Sequence, residues 1–339
     1  MAAPTTMKAW TYTSASGGLE KNLTLQTSTP APAPKPGFVL VEVISAAVNP
    51  VDYKIPELPF GIGQFIISTP SSPGLDFCGR VVTATDDFKE GQKVFGRLEP
   101  TQFGSLGQFV LAPQTGCVAL PEGVSCDEGA AIGTAATTAY QCLLKGAGEG
   151  GMKGKSVFIN GGSGGTGIWG VQIAKTLGAK VTTSCSSKNV EMLKSLGADE
   201  VIDYTDGDLV AQLKAKGRVF DFIVDNVGFP ADLYFAAHLF TKPGAEFVQV
   251  GGGMSFASTK AMMAKRLTPG FLGGGKIPFT FLMCHNDPKD FAQIAEWVKE
   301  KKTKVVFDQV FEYEDVPKAY EKLKTGRAKG KIVVHVTKE

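Results

Sequence analysis

The hydrophobic and polar positions of this chain follow two different patterns along its length. In the first third, short apolar runs lie at residues 39–44, at 79–84 and around Val94, with turn-forming stretches at 30–37 and 89–92. Short apolar runs bounded by Pro and Gly are typical of strands. This part of the chain is therefore predicted to be rich in β-structure.

The rest of the chain alternates apolar runs with stretches of helical periodicity. The apolar runs begin at residues 157, 181, 201, 220, 246 and 279. Helical periodicity is found between them, at residues 168–177, 190–196, 209–214 and 231–240. Short strands that alternate with helices predict βαβ units and a mostly parallel sheet covered on both faces. The fold class predicted for this part is therefore α/β.

The end of the chain returns to strand-like patterns. After a helical stretch at 289–301, strand-like residues follow at 304–311 and 331–336, and we expect them to complete the first domain. The second domain is then inserted within the first. The expected bounds are 1–126 and 303–339 for the first domain and 127–302 for the second.

A glycine-rich turn carries the strongest functional signal. Residues 161–167 read GGSGGTG, and Gly162, Gly164 and Gly167 fit the spacing GxGxxG directly after the predicted strand. Glycines let the backbone approach a pyrophosphate, and the following helix offers N–H groups and the positive end of its dipole. This context predicts a dinucleotide site, and the alternative is an ordinary glycine-rich turn.

The second strand of this unit indicates which dinucleotide binds. NAD sites place an Asp or Glu about 20 residues after the glycines, where it bonds the ribose 2′-hydroxyl. Here residues 182–189 read TTSCSSKN and contain no acid. Hydroxyl groups and the cation of Lys188 suit a 2′-phosphate, so NADPH is the predicted cofactor. The alternative is that Lys188 only begins a solvated helix.

Composition and charge set other classes of function aside. The 339 residues carry 35 basic and 33 acidic side chains, and no basic stretch is interleaved with aromatics, so we expect no nucleic-acid partner. No apolar run reaches the ~18 residues that a membrane span needs. Residues 1–6 do not resemble a secretory signal, and the six cysteines are scattered without a CxxC spacing. We therefore expect a cytoplasmic protein.

The residues that a zinc site needs are missing from the N-terminal part of the sequence. The histidines of the chain are His238, His285 and His335, and no cysteine cluster is present. Zinc sites require Cys, His or carboxylate ligands arranged around a tetrahedral ion. We therefore expect no bound metal, and a zinc alcohol dehydrogenase is set aside.

Four motifs give the chain a family resemblance over nearly its whole length. They read AVNPVDYK at 47–54, GLDFCG at 74–79, TAYQ at 138–141 and SLGADEVIDY at 195–204. Together they resemble the zinc-independent, quinone oxidoreductase-like branch of the medium-chain dehydrogenase/reductase superfamily, and within it plant enone and alkenal reductases and fungal enoyl reductases. Asn49 stands where zinc-dependent members carry a ligand Cys, and Leu75 where they carry a His.

The resemblance implies a fold and a cofactor site. The fold is a GroES-like β-barrel catalytic domain plus a doubly wound Rossmann domain that binds NADPH. Relatives are often dimers, so a homodimer is an open alternative. Tyr204 is implied at the adenosine end, and Thr138 and the strand end at Val250 and Gly251 near the nicotinamide. The implied cofactor-binding residues are Thr138, Gly162, Ser163, Gly164, Gly165, Thr166, Ser186, Ser187, Lys188, Asn189, Tyr204, Val250 and Gly251.

The expected chemistry follows from hydride transfer without a Lewis acid. A conjugated enone or quinone then accepts hydride more readily than an isolated ketone. Hydride addition to the β-carbon leaves negative charge on an enolate oxygen, which needs positioned donors. We predict Lys54 as that donor, helped by Asn49, with the α-carbon proton coming from solvent or from Tyr53. The alternatives are that Lys54 is exposed or only orients the cofactor, and that Tyr53 serves packing.

The predicted function is an NADPH-dependent reduction of small α,β-unsaturated carbonyl compounds. A first alternative is an NADPH:quinone reductase. A second alternative is a non-catalytic, NADPH-binding structural or regulatory protein. Residues 252–278 show no clear period and are expected to line the substrate side of the site or an interface.

Overall fold

The computed structural model describes residues 4–339 and shows a chain built from two compact units. The strands are β1 (Thr6–Thr11), β2 (Thr24–Pro30), β3 (Phe38–Val48), β4 (Asp76–Val81), β5 (Lys93–Arg97), β6 (Phe109–Pro113), β7 (Cys117–Ala119), β8 (Ser156–Asn160), β9 (Lys180–Cys185), β10 (Glu200–Asp203), β11 (Phe220–Asp225), β12 (Thr241–Gln249), β13 (Phe279–Phe281), β14 (Phe307–Glu312) and β15 (Lys331–His335).

Helices connect most of these strands. The α-helices are α1 (Leu19–Asn22), α2 (Pro50–Lys54), α3 (Ile62–Ile66), α4 (Cys126–Ala147), α5 (Gly165–Thr176), α6 (Val190–Ser195), α7 (Leu209–Ala215), α8 (Asp232–Ala236), α9 (Phe256–Leu267), α10 (Pro288–Lys299) and α11 (Val316–Lys324). Short 3-10 helices cover Pro59–Gly61, Gln114–Gly116, Gly148–Gly150, Ser187–Asn189, Ala237–Leu239, Gly270–Leu272 and Tyr313–Asp315.

The first unit contains the described residues up to Thr137 together with His285–Glu339. Its main sheet has the order β14-β15-β3-β4-β5-β7, and β6 also pairs with β3. All pairs of this sheet are antiparallel except β14 with β15. Strand β15 pairs with the end of β3, with Val333 opposite Ala47. The C-terminal strand thus joins the main sheet of the first unit.

The second unit, Thr138–Cys284, is built around one parallel sheet. Its strand order is β10-β9-β8-β11-β12-β13, and every neighbouring pair is parallel. Counted from β8, this is the order 3-2-1-4-5-6 of the doubly wound dinucleotide-binding fold. The core beside the sheet contains fully buried aromatic side chains, including Phe158, Phe220 and Phe247. The predicted α/β class with a Rossmann domain is confirmed.

The hydrophobic pattern did not indicate six of the α-helices, namely α1, α2, α3, α4, α9 and α11. Helix α4 begins at Cys126, where we expected the first domain to end, and the two compact units divide within this helix, after Thr137, and after Cys284. The expected domain bounds remain a prediction. Helix α9 lies within the stretch 252–278, for which no helical period was found. The period is missing because the buried side chain among the described residues of this helix is that of Lys265 and not that of an apolar residue.

Candidate functional site

The glycine-rich turn joins β8 to α5 at the carboxyl end of the parallel sheet. Gly161 has a φ of 75°, which favours glycine. A Cβ on Gly162 would overlap the hydroxyl of Thr183 on β9, and one on Gly167 would overlap the carbonyl oxygen of Gly161. These two glycines allow the turn to pack tightly against the sheet and the helix.

Gly164 has a different role in the same turn. It precedes the first residue of α5, and a Cβ added to it would meet its nearest neighbour, the carbonyl oxygen of Gly161, at 3.7 Å. The protein itself therefore does not require glycine here, whereas a pyrophosphate that approaches the backbone does. Ser163 lies in the turn, and Gly165 and Thr166 form the first turn of α5. A helix N-terminus in this position offers N–H groups to an anion.

A chain of buried polar groups holds the turn at the ends of three strands. The backbone N–H of Gly161 donates to Ser184 Oγ at 3.1 Å, and that hydroxyl donates to Asn160 Oδ1 at 2.7 Å. Asn160 Nδ2 in turn donates to Asp225 Oδ1 at 2.8 Å. These residues were not predicted as site residues, although a polar residue that ends a buried strand was the available signal. The chain fixes the mutual spacing of β8, β9 and β11.

The residues predicted for the adenosine end come together at the ends of β9 and β10. Ser186 and the 3-10 helix Ser187–Asn189 follow β9, and the N–H of Tyr204, just after β10, donates to the Cys185 carbonyl at 3.1 Å. The side chain of Tyr204 is half-exposed. Asn189 Oδ1 is buried and has no hydrogen-bond partner among residues 4–339. This oxygen is an acceptor, and a donor such as a ribose hydroxyl group fits it.

An acidic group that was not among the predicted site residues lies beside this cluster. Asp203 ends β10, and its Oδ1 accepts hydrogen bonds from the N–H and the hydroxyl of Thr205, at 2.8 and 2.6 Å. Hydrogen bonds from Ser187 and Thr205 lower the pKa of Asp203. The ribose end thus contains both the Asp203 carboxylate and the cation of Lys188. The residues that follow β9 are therefore not enough to predict the charge of this end of the site.

The residues predicted near the nicotinamide occupy the second unit as well. Val250 and Gly251 follow β12, and the N–H of Val250 donates to the Asp225 carbonyl at 3.0 Å. Asn226, at the end of the neighbouring strand, has a buried Oδ1 without a hydrogen-bond partner in the described part of the chain. Thr138 is buried in α4. The open glycine turn and the two unpartnered amide oxygens fit a nicotinamide dinucleotide.

Asn49, Tyr53 and Lys54 lie together on α2 in the first unit. Asn49 is the N-cap of this helix, and its Nδ2 donates to Asp76 Oδ2 at 2.8 Å and to the Ala47 carbonyl at 3.2 Å. Its Oδ1 accepts from Lys331 Nζ at 2.6 Å. Both amide hydrogens of Asn49 therefore have partners inside the first unit.

Tyr53 and Lys54 are half-buried at the C-terminal end of α2. Burial raises the pKa of the Tyr53 hydroxyl, and burial lowers the pKa of the Lys54 ammonium. Lys324 Nζ lies 5.0 Å from the centroid of the Tyr53 ring, a cation–π contact. Tyr53 also packs against the apolar core of the first unit. The structure brings the three predicted catalytic residues together on one short helix.

The buried carboxyl of Asp52 lies beside these residues and was not among the predicted site residues. Its Oδ2 accepts from the backbone N–H of Asn49 at 2.7 Å, which completes a capping box at the start of α2. Burial, together with the neighbouring Asp76 carboxylate, raises the pKa of Asp52 to about 8. Asp52 is therefore largely protonated at neutral pH.

Neither a metal cluster nor a membrane-spanning helix is found in the part of the chain that the structure describes. No three His, Cys, Asp or Glu side chains within residues 4–339 are grouped so that they could hold a metal ion. No helix over the same residues is long and apolar enough to cross a bilayer.

Comparison with known proteins of similar sequence and fold shows which family this chain belongs to. Residues 35–122 match the alcohol dehydrogenase GroES-like domain, and residues 196–334 match the zinc-binding dehydrogenase family. The trans-enoyl reductase pgmF of Aspergillus terreus is 47% identical, over 98% of this chain and 97% of that protein. The 2-methylene-furan-3-one reductase of Solanum lycopersicum is 33% identical, over 98% of this chain and 80% of that protein.

The structure of the quinone oxidoreductase from Coxiella burnetii has a TM-score of 0.84 and 26% identity, with coverage of 98% of this chain and 100% of that one. The chain belongs to the quinone oxidoreductase-like branch of the medium-chain dehydrogenase/reductase superfamily. This confirms the resemblance and the GroES-like and Rossmann fold. The family binds a nicotinamide cofactor.

The spacing around Gly164 predicts how the turn responds to substitution. Gly164→Ala leaves the melting temperature unchanged and raises the Kd for NADPH by about 10- to 100-fold, because the methyl group keeps the pyrophosphate from charged hydrogen bonds. Fluorescence titration with NADPH measures this. Gly170→Ala, whose Cβ would make an ordinary 3.5 Å contact with Ile159, is the matched control with unchanged affinity. Equal affinity in both variants would contradict a phosphate site at this turn.

Proposed function

We propose that this chain catalyses the NADPH-dependent reduction of activated C=C bonds in α,β-unsaturated carbonyl compounds, by hydride transfer and without a metal. The observation that carries the proposal is the 47% identity, over 98% of the chain, with a trans-enoyl reductase. The relationship to the 2-methylene-furan-3-one reductase supports the same substrate class. Asn49 and Leu75 are poor zinc ligands, which supports the metal-free route.

NADPH is the proposed form of the cofactor. Lys188 supplies a cation and Ser186 a hydroxyl after β9, and both groups suit a 2′-phosphate. Ser187 and Thr205 hydrogen-bond the Asp203 carboxylate, and the N–H and hydroxyl of Thr205 occupy its Oδ1. When bound, NADPH supplies the hydride. The glycine turn holds the pyrophosphate, and the strand ends at Val250 and Gly251 receive the nicotinamide.

Lys54 is the proposed donor to the enolate oxygen. Its ammonium is half-buried, and a donor in a poorly solvated place stabilises developing negative charge more strongly than one in water. Asn49 acts through the position of α2, since its amide hydrogens bond Asp76 and Ala47. The proton for the α-carbon comes from solvent or from Tyr53, whose raised pKa keeps the hydroxyl protonated.

Quinone reduction is the second candidate function. The fold similarity to the Coxiella burnetii quinone oxidoreductase favours it, since a quinone is also an activated acceptor of hydride. A non-catalytic, NADPH-binding role is the third candidate. We also propose a cytoplasmic location, which the free thiols of the described cysteines support. A homodimer is part of the same proposal and rests on family analogy.

Oxidation of the cofactor with a small substrate panel tests the proposed reaction. We expect turnover of a 2-alkenal and a cyclic enone, with NADPH strongly preferred to NADH, and no turnover of a simple ketone. Absorbance at the nicotinamide wavelength follows the reaction. Turnover of a naphthoquinone alone would establish the second candidate. Tight NADPH binding without turnover of any acceptor would establish the third.

Lys188 is expected to determine the cofactor preference. Lys188→Ala raises the KM for NADPH by about 10-fold or more, through loss of a charged hydrogen bond, and leaves the KM for NADH unchanged. Lys194→Ala is the matched control, because the Lys194 ammonium pairs with Glu191 at 2.9 Å. An equal rise in both KM values would show that Lys188 does not contact the 2′-phosphate.

Lys54 is expected to produce an alkaline limb in the pH profile. The ammonium is present below its pKa and lost above it, so kcat falls as pH rises through a midpoint below the ordinary lysine value of 10.5. Lys54→Met lowers kcat by about 100-fold, with NADPH affinity unchanged, and removes that limb. Lys21→Met, at an exposed lysine of α1, serves as control. A Lys54→Met enzyme with wild-type turnover would refute the assignment.

A further inference from the structure

The start of α2 lies against a buried cluster of charged and polar side chains from distant parts of the first unit. Lys331, at the beginning of β15, is 3% exposed, and Asp76, at the beginning of β4, is completely buried. Lys331 Nζ lies 2.6 Å from Asn49 Oδ1 and 3.4 Å from Asp76 Oδ2. One ammonium thus contacts both the N-cap of α2 and the carboxylate that the same N-cap bonds.

Helix α2 is too short to hold its own orientation. It has five residues, and an isolated helix of this length is unstable in water because nucleation is costly. Its position therefore depends on its cap and on the groups that hold the cap. Asn49 Nδ2 donates to Asp76, and Asn49 Oδ1 accepts from Lys331, so the amide cannot rotate without losing both contacts.

The cost of this cluster indicates that it does more than stabilise the fold. Burial of an ammonium and a carboxylate removes both from water, and replacing such a pair by apolar groups is often neutral or stabilising. A buried pair is better attested as a device that fixes one arrangement among several. The arrangement fixed here is that of the helix that carries Tyr53 and Lys54.

We propose that Lys331 is a positioning residue of the reductase: with Asp76 it holds Asn49, and through Asn49 it sets the place of Lys54 on α2. This inference rests on the proposed function for its effect on turnover, but not for its effect on the helix. Asp52 also holds Asn49, because its Oδ2 accepts from the backbone N–H of Asn49. Tyr320, from α11, lies with its hydroxyl 3.4 Å from Asp52 Oδ2.

Exchanging the side chains of Asn49 and Asp76 tests whether this cluster positions α2. Asn49→Asp places two carboxylates side by side, and Asp76→Asn removes the negative charge beside the Lys331 ammonium, so each single variant lowers kcat for the 2-alkenal by about 10- to 100-fold. The double variant with both substitutions restores an amide opposite a carboxylate beside Lys331. We expect it to regain most of kcat, with the Kd for NADPH unchanged throughout. No recovery in the double variant would overturn the proposal.

Hydrogen–deuterium exchange supplies a readout that does not depend on turnover. Lys331→Met is expected to speed exchange of the amides of residues 51–54 by about 10-fold or more, with the other strands of the first unit unchanged. Tyr313→Phe is the matched control, because it removes a buried hydrogen bond to the Leu106 carbonyl, 2.7 Å long, and neither residue belongs to α2. We expect no change of kcat in this control.

The two readouts separate the possible failures. If Lys331→Met changed neither the hydrogen–deuterium exchange nor kcat, the positioning role of Lys331 would be overturned. It would also be overturned if Tyr313→Phe lost as much kcat as Lys331→Met while losing as much melting temperature. If the wild-type protein reduces no enone, the proposed function fails. Faster exchange at residues 51–54 in Lys331→Met would still support the role of Lys331 in positioning α2.

Discussion

The carboxylate of Asp76 joins more separate parts of the first unit than any other interaction described above. Its Oδ1 accepts from the N–H and the hydroxyl of Thr134 on α4, at 2.7 and 2.6 Å. Its Oδ2 accepts from Asn49 and lies near Lys331. Because a buried carboxylate is costly unless its oxygens are paired, these four contacts constrain β4, α4, β15 and the cap of α2 together.

The C-terminal part of the chain thereby completes the candidate catalytic helix. Strand β15 supplies Lys331, and α11 supplies Tyr320 and Lys324, which contact Asp52 and the ring of Tyr53. Lys324 also pairs with Glu20 and Glu57, so the far end of the chain lies against segments on both sides of α2. The return of the chain to the first unit therefore has a chemical consequence and does not only close a sheet.

Local sequence patterns could predict the second unit better than the first. The glycine spacing, the strand before it and the helix after it are neighbours in sequence, so Gly162, Gly164 and Gly167 were recognisable without the fold. Helices α4 and α9 were missed, because α4 is rich in small residues and α9 buries a lysine. The contact of Lys331 with Asn49 spans 282 positions, and a polar residue in a terminal strand gives no local sign of such a partner.

The measurement that tests the central claim most directly is the position of the transferred hydrogen. Single turnover with NADPH deuterated at the nicotinamide C4 and an unlabelled 2-alkenal, followed by proton NMR of the product, locates the deuterium. The account predicts a saturated aldehyde with deuterium on the β-carbon and a solvent proton on the α-carbon. Deuterium on the carbonyl carbon, as in reduction to an alcohol, would contradict it.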